Sequence, residues 1–272
     1  MANLRINKLK IHEPRIPQLL IMASLLMIGV IWRDFSLKPW QIIGTFIAGL
    51  FTQSLAIYFF RLAKSSLFSA IITCFGICLL LRSSVNWIHP LIVIIAIGSK
   101  FLIRINGHHV FNPANFGVII ALSFFPNTWV ASGQWGNEWI IGFWLLAGGF
   151  WVTTTAKRLD SSLYFLISYA SLLLIIRIGY YGYSLASFWH QFTNGALLLF
   201  AFFMISDPMT IPHHSIARLL HTLIVAILAY IWQYVYYYPQ GILWGLFWAT
   251  PLVVLWNRLL PAPPYQWQPV KS

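Results

Sequence analysis

The sequence predicts an all-α, polytopic integral membrane protein with about ten transmembrane helices, and three observations lead to this fold class. The composition is 59% hydrophobic and 8% charged, whereas soluble domains carry about 25% charged residues. The apolar runs approach the roughly 20 residues that cross a bilayer as a helix. They are apolar all round, unlike outer-membrane strands, in which polar and apolar residues alternate. A soluble enzyme, a disordered chain and a disulfide scaffold are therefore excluded.

Ten apolar segments are expected to form the bundle, and several are shorter than a straight crossing needs. Their boundaries are 16–32, 40–60, 67–82, 87–103, 113–125, 139–155, 163–178, 191–206, 217–236 and 241–257. The fifth is the shortest and is bounded by prolines, a pattern typical of broken or re-entrant helices. Ten segments divide into five plus five, and an odd number in each half predicts an inverted repeat.

The distribution of basic residues predicts the orientation. Thirteen of the 17 Lys and Arg residues fall on the side that holds the amino terminus and the even-numbered loops. Because basic residues concentrate on the cytoplasmic side, both termini are expected in the cytoplasm, in an inner-membrane-type bilayer. We expect one membrane domain over 1–272, with a cytoplasmic segment 1–15, a bundle 16–257 and a cytoplasmic tail 258–272.

The formal net charge of +12 fits a protein anchored against anionic lipid. The basic residues lie singly or in pairs between apolar runs, and no patch is large enough to follow a phosphate backbone. The lipid bilayer is therefore the expected partner, and nucleic acid is not.

Two polar segments, 107–117 (GHHVFNPANFG) and 205–214 (ISDPMTIPHH), interrupt this apolar chain. Asn112 and Asp207 each precede a proline, the pattern of a helix N-cap followed by proline at the first helical position. Two interpretations stay open: ordinary helix starts, or helix N-termini that attract an anionic or acceptor-rich ligand. Asp207 is one of five acidic residues. It is expected to pair with a cation such as Arg218 or a histidine, or to serve a ligand, proton or ion.

Other polar residues receive plainer interpretations. The adjacent pairs His108-His109 and His213-His214 could hold a metal or haem only with one histidine from each pair, so no metal site is expected. Asp160 lies beside two basic residues and is expected to be an ordinary interfacial charge. The chain has no nucleotide-binding loop and no hydrolase motif. No catalytic residue is therefore expected, and the chain is at most one component of a membrane oxidoreductase complex.

Three motifs follow one another in the second and third quarters of the chain and beyond. They are His-Val-Phe-Asn-Pro-Ala at 109–114, Ala-Phe-Phe-Met-Ile-Ser-Asp-Pro-Met-Thr at 201–210 and Tyr-Pro-Gln-Gly at 238–241. In these motifs the sequence resembles the RnfD/NqrB family of membrane proteins, which is shared by the Rnf electron transport complex and the sodium-translocating NADH:quinone oxidoreductase. The resemblance covers about 105–260.

The resemblance implies a ten-helix component of an ion-coupled electron-transfer complex, with other membrane subunits as partners. Members of the family carry a flavin mononucleotide linked to a threonine of a Ser-Gly-Ala-Thr-type motif between the fifth and sixth spans. The corresponding loop here, 126–138, lacks that motif, so no covalent flavin is expected.

A non-covalent flavin on the cytoplasmic side remains as the implied cofactor. Amide and hydroxyl side chains can hydrogen-bond the uracil-like edge of an isoalloxazine, and phenylalanine rings can pack on its face. The positions that match the family or neighbour those matches are Asn112, Asn115, Asp207, Thr210, Phe111 and Phe116.

Three functions stay open at this point. The first is an electron-carrier subunit with a non-covalent flavin or a quinone held between 107–117 and 206–214. The second is a transporter or channel for a small solute or ion, because broken helices in repeated bundles are typical of transporters. The third is an accessory membrane protein of a biosynthetic or redox pathway that keeps the fold without ion pumping. We expect the first.

Overall fold

The computed structural model describes residues 15–105, 107–130 and 139–265. Most of the predicted amino-terminal segment, the loop residues 131–138 and the end of the predicted tail therefore lie outside the described residues. The described chain is predominantly helical and apolar, which confirms the predicted all-α membrane fold.

Twelve α-helices are present in the described part of the chain. They are α1 (Arg15–Ile31), α2 (Pro39–Phe60), α3 (Leu67–Leu80), α4 (Ile88–Leu102), α5 (Pro113–Phe124), α6 (Trp139–Thr155), α7 (Leu159–Leu172), α8 (Leu185–Phe192), α9 (Gly195–Phe203), α10 (Ser215–Tyr234), α11 (Gly241–Ala249) and α12 (Leu252–Leu259). π-Helical turns extend α7 over Leu173–Tyr180, and a short 3-10 turn covers Lys64–Ser66.

Two small antiparallel ribbons connect the helices. Strand β1 (Leu81–Ser83) pairs with β4 (Thr128–Val130), and β2 (Arg104–Ile105) pairs with β3 (His108–His109). Each ribbon is short and satisfies backbone groups of a loop that would otherwise lack partners.

The helices differ in their ability to cross a membrane. By length and composition, α2, α7 with its extension, and α10 are candidate membrane spans, and the pair α11 and α12, which is bent by 49°, is a broken span or a re-entrant loop. The helices α1, α3, α4, α5 and α6 are shorter but apolar. Each of the ten predicted segments contains one of these helices or α9, whereas α8 is a mostly exposed additional helix with only Phe188 buried.

The eighth predicted segment, 191–206, is shorter than expected. The side chain of Asn194 accepts a hydrogen bond from the Ala196 backbone N–H at 2.8 Å and caps a new helix there. Helix α9 therefore has only nine residues, or about 13.5 Å at 1.5 Å per residue. This length is less than half of the roughly 30 Å hydrocarbon core. The 12-residue α5, about 18 Å long, is also too short for a full crossing, and α5 and α9 are called here the half-height helices.

The expectation that Asp207 caps a helix is wrong. Helix α10 begins after His214, whose ring accepts the Ile216 backbone N–H at 3.2 Å. Pro212 prevents an earlier start, because proline lacks an N–H donor and disfavours helical geometry in the preceding residue. Asp207 instead closes a turn, in which its carbonyl oxygen accepts the Thr210 N–H at 3.1 Å.

The two halves of the bundle use the same packing partners. Helix α1 packs against α3 as α6 packs against α9, and α2 packs against α4 as α7 packs against α10. Likewise α4 contacts α5 as α10 contacts α11, and α3 contacts α5 as α9 contacts α11. Helices α1 to α5 therefore correspond to α6, α7, α9, α10 and α11. This repeated packing is the five-plus-five arrangement that the number of segments suggested.

Contacts between loops agree with alternating crossings. The strands β1 and β4, which pair, follow the third and fifth helical segments. Gln41, at the start of the second segment, donates a side-chain hydrogen bond to the Ser83 carbonyl at 3.0 Å. Asp160 and Arg218, which form an ion pair, precede or open the seventh and ninth segments. These contacts join odd-numbered loops to odd-numbered loops and even-numbered loops to even-numbered loops.

Glycines allow α11 to lie directly on α10. A Cβ atom at Gly245 would lie 2.7 Å from the Ala229 backbone nitrogen and 2.8 Å from the Val225 carbonyl oxygen. Because these neighbours are backbone atoms, they cannot move aside as a flexible side chain would. At Gly142 in α6, by contrast, nothing lies within 4 Å of such a Cβ.

We expect Gly245→Ala to lower the free energy of unfolding by about 1–3 kcal/mol, the usual cost of overpacking. Gly142→Ala is the matched control and should cost nothing, because alanine favours a helix over glycine. Unfolding in mixed detergent micelles measures both. Equal losses in the two variants would contradict the close packing of α10 and α11.

The predicted orientation can be tested with single cysteines. The native Cys74 and Cys78 are completely buried and should not react. With both termini in the cytoplasm, Tyr181→Cys should react with an impermeant maleimide on intact cells, and Lys64→Cys only after permeabilisation. The opposite labelling pattern would place the termini outside.

Candidate functional site

Asn112 and Asp207 meet on the side of the bundle that carries the even-numbered loops, called here the even-loop side. The Asn112 amide nitrogen donates to one carboxylate oxygen of Asp207 at 3.1 Å, and its oxygen accepts the Asn115 N–H and caps α5. The same Asp207 oxygen accepts from the Thr210 hydroxyl at 3.1 Å, and the other accepts the Met209 N–H. One carboxylate therefore connects the start of α5 to the turn before α10.

The remaining predicted site residues hold α5 against α11. The Asn115 amide nitrogen donates to the Leu243 carbonyl at 3.2 Å, and its buried oxygen has no partner among the described residues. Phe111 stacks on Phe247 with ring centroids 5.0 Å apart, and Phe116 lies 5.3 Å from Phe111. These aromatic rings are thus in contact with one another.

A groove opens beside the Asn112–Asp207 contact. Its enclosed part measures about 90 Å³, and the whole groove with its open mouth encloses about 930 Å³. Of the six predicted site residues, Asn112 and Asp207 line it. Its other polar lining residues come from α1, α3, α6 and the adjoining loops: Arg15, Gln18, Ser69, Thr73, His109, Thr153 and Ser206.

Gln18 and His109 are the lining residues with unused hydrogen-bonding capacity. Neither side chain has a hydrogen-bond partner among the described residues. Burial lowers the pKa of His109 below its ordinary value, Asp207 opposes the shift, and the charges of Lys100 and Arg104 add to it. The imidazole is therefore neutral at neutral pH and offers one donor and one acceptor.

Neither residue is among the six predicted site residues, although both line the groove. Gln18 is a polar residue within the first predicted apolar segment, and such residues need a reason in a membrane helix. His109 was considered only as one member of a histidine pair. Both residues are polar residues in an apolar chain, which is the sequence feature that could have indicated them. The residues that surround them in the groove, however, are distant in the sequence.

A buried lysine lies directly behind the groove. The Lys100 ammonium donates to the Gln53 side-chain oxygen at 3.0 Å and to the Ser69 hydroxyl at 3.2 Å. Ser69 also lines the groove. Lys100 therefore supplies a positive charge close to the groove wall, and its position inside an apolar segment is the sequence signal for it.

Asp160 pairs with Arg218, a partner that the sequence analysis did not assign to it. Arg218 donates to one Asp160 carboxylate oxygen through two nitrogens at 2.8 and 2.5 Å, and to the His213 carbonyl at 2.6 Å. The pair forms because α7 and α10 pack side by side and both begin on the even-loop side. Asp207 therefore has amide, hydroxyl and backbone partners, while Arg218 pairs with Asp160.

The histidine pairs approach each other without forming a metal site in the described chain. The rings of His108 and His213 have centroids 6.3 Å apart and meet edge to face. Over residues 15–105, 107–130 and 139–265, no three His, Cys, Asp or Glu residues are placed to hold a metal ion.

A bundle of apolar helices with two half-height members and a polar groove at one end defines a polytopic integral membrane protein. Residues 130–261 match the model of the NQR2, RnfD, RnfE family, so this part of the chain is similar to the members of that family. The family consists of membrane subunits of ion-translocating electron transport complexes. No curated protein matches the chain. The matched region contains Asp207 and Thr210, whereas Asn112 and its neighbours precede it.

We expect the Asn112–Asp207 contact to appear as an energetic coupling. Asn112→Ala removes both the α5 cap, worth about 1 kcal/mol, and the donor to Asp207. In a double-mutant cycle with Asp207→Ala, the two losses should be non-additive by about 0.5–3 kcal/mol.

Asn194→Ala is the control for this cycle, because it removes a cap at the far end of α9 and leaves Asp207 untouched. Its effect should add to that of Asp207→Ala within about 0.5 kcal/mol. Unfolding in detergent micelles measures each variant. Additivity of Asn112→Ala and Asp207→Ala would mean that the contact contributes nothing to stability.

Proposed function

We propose that this chain is the membrane subunit of an electron-transfer complex and holds a non-covalent flavin or a quinone in the groove on the even-loop side. The carrying observation is the groove itself, where the segments 107–117 and 205–214 converge beside the unpartnered side chains of Gln18 and His109. The family of residues 130–261 supports electron transport as the context.

The groove fits the edge of such a cofactor better than a whole ring system. Ligand sites usually measure about 300–1,000 Å³, so the enclosed 90 Å³ is too small for an isoalloxazine. A carbonyl-bearing ring edge would enter the enclosed part. The rest of the ring system would lie in the open mouth of the groove, where the space is continuous with solvent.

The chain's own residues would divide the work of binding. The Gln18 amide and the neutral His109 imidazole can donate to and accept from a ring edge that carries alternating carbonyl and N–H groups. Asn112, Asp207 and Thr210 hold one another and so keep the groove wall in place. Phe111, Phe116 and Asn115 position α5 against α11. When bound, a flavin or quinone supplies reversible electron uptake.

The proposal includes no covalent flavin in the loop after α5. The Thr128 hydroxyl donates to the carbonyl oxygens of Ala121 and Phe125 at 2.9 and 2.7 Å, which favours a structural role for this threonine. Ser132 and the rest of that loop to residue 138 lie outside the described residues. A single carrier does not complete an electron-transfer chain, so other membrane subunits are needed as partners.

A second candidate function is transport of a small solute or ion. The repeated packing of the two halves and the half-height helices α5 and α9 favour it, because discontinuous helices form the central sites of many transporters. Solute or ion flux into liposomes without any electron donor would support this function.

We expect the detergent-purified protein to show a flavin or quinone absorbance spectrum, and acid precipitation to release the cofactor into the supernatant. Gln18→Leu and His109→Leu should each reduce the bound cofactor at least tenfold, because each removes a polar partner from the groove. Gln240→Leu, the same kind of change at the opposite end of the bundle, should leave the cofactor content unchanged.

Two outcomes would contradict this proposal. Flavin that stays with the acid-precipitated protein would indicate covalent attachment. A protein that remains colourless after supply of riboflavin, flavin mononucleotide and a quinone would exclude the carrier function and favour transport.

A further inference from the structure

A second cavity adjoins the groove on the even-loop side and is larger than the enclosed part of the groove. It measures about 280 Å³ and lies between the β2–β3 hairpin, the segment 205–214 and α12. His109 and Met209 line both spaces. Its other lining residues include Ile105, His213, Val253, Val254, Asn257 and Arg258. We call it the hairpin cavity.

The one Lys or Arg side chain on the described walls of the hairpin cavity is Arg258. Its guanidinium has no ion-pair or hydrogen-bond partner among the described residues. No carboxylate lines the described walls, and the nearby carboxylates are already engaged, Asp160 with Arg218 and Asp207 with Asn112 and a neighbouring hydroxyl. The cavity therefore offers a guanidinium without a carboxylate partner.

Two polar atoms of the cavity that can act as donors have no partner among the described residues. The Asn257 side-chain oxygen accepts the His213 backbone N–H at 3.0 Å, which leaves the Asn257 amide nitrogen without a partner among the described residues. The Nδ1 atom of His213 is buried and likewise has no partner in the described part of the chain. A buried polar atom without a partner costs free energy unless a ligand or water satisfies it. An acceptor-rich ligand would satisfy these atoms together.

The charged groups around His213 also favour an anionic, acceptor-rich ligand. Burial lowers the pKa of His213 below its ordinary value, and the neighbouring His108, Arg158 and Arg218 lower it further. A bound anion would oppose the effect of the two arginines. Because the cavity is partly closed to water, the attraction between an anion and the guanidinium groups is only weakly screened there.

The size of the hairpin cavity and its apolar walls indicate which class of anion it can bind. A volume of about 280 Å³ greatly exceeds that of a bare halide ion. Val253, Val254 and Ile105 provide an apolar wall for a carbon-containing group. A guanidinium matches phosphate oxygens with two parallel hydrogen bonds. We propose that the hairpin cavity binds the phosphate group of an organic phosphate, through Arg258, Asn257 and His213.

Two kinds of ligand contain such a phosphate group: the headgroup of an anionic phospholipid and a soluble phosphate ester. The position favours the lipid. Helix α12 buries none of its residues within the chain and bends away from α11 by 49°, as expected for a helix at the membrane boundary. Basic pockets between membrane helices on the cytoplasmic side are suited to anionic headgroups. This inference does not depend on a flavin or quinone in the groove.

Native mass spectrometry of the full chain in detergent tests the proposal, with phosphatidylglycerol and phosphatidylcholine of the same acyl chains as probes. We expect one retained phosphatidylglycerol, bound at least tenfold more tightly than phosphatidylcholine. Arg258→Gln should weaken its binding at least tenfold. Arg258→Lys, which keeps the charge and loses the planar fork, should fall between Arg258→Gln and the wild type.

Lys64→Gln is the matched control, since it removes one exposed positive charge from the same side at a distance from the cavity. It should change phosphatidylglycerol binding less than twofold. His213→Asn is a second test, because it removes the imidazole while Arg258 remains, and it should also weaken binding. Equal weakening by Lys64→Gln and Arg258→Gln would overturn the proposal, because the lipid would then respond to surface charge alone.

Inorganic phosphate and glycerol 3-phosphate separate the two sources. If either compound displaces phosphatidylglycerol at millimolar concentration and binds the wild type but not Arg258→Gln, the cavity takes soluble phosphates. If phosphatidylglycerol binds and neither compound competes, the lipid headgroup is the ligand. Absence of Arg258-dependent binding of all three probes would overturn the proposal. Cofactor absorbance in the same samples reports separately on the groove.

Discussion

The carboxylate of Asp207 is the interaction on which the even-loop side of this bundle depends. A helix start that is buried away from water needs partners for its first backbone N–H groups, and α5 starts in this way, because Asn112 is buried. Asn112 caps α5 with its oxygen and uses its nitrogen to contact Asp207. The turn before α10 is fixed by the same carboxylate through Thr210 and Met209. The groove forms beside this contact because two interrupted segments of the chain are fastened there.

Much of the fold could be predicted from the lengths of the apolar runs. A segment in contact with lipid has to be apolar and helical, and such segments make up most of this sequence. The asparagine cap of α5 was predictable, because an Asn-Pro pair has a local preference for a helix start. The same reasoning failed at Asp207, because Pro212, five residues further on, excludes a helix there. The short α9 was missed as well, since an apolar run does not reveal that Asn194 begins a new helix within it.

The position of the candidate site could be predicted from the sequence, but the contacts between its residues could not. The sequence singled out the segments 107–117 and 205–214, and the structure brings them together. It could not indicate that Asn112, Asp207 and Thr210 would satisfy one another, or that Phe111 would stack on Phe247. Nor could it indicate Gln18, which reaches the groove only because α1 packs against α3. Such pairings depend on tertiary packing, which periodicity and propensity do not encode.

The shortness of α9 has an electrical consequence. Phe202 and Phe203, near its carboxyl end, line the groove, so the nine-residue α9 separates the groove from the odd-loop side by about 13.5 Å. A membrane potential falls mainly across material that excludes water, so a water-filled groove would confine this fall to about the length of α9. Moving a unit charge through the full potential costs about 2.3 kcal/mol per 100 mV. Beside α9 this cost is concentrated over a shorter path, so the local field is steeper than in unbroken bilayer.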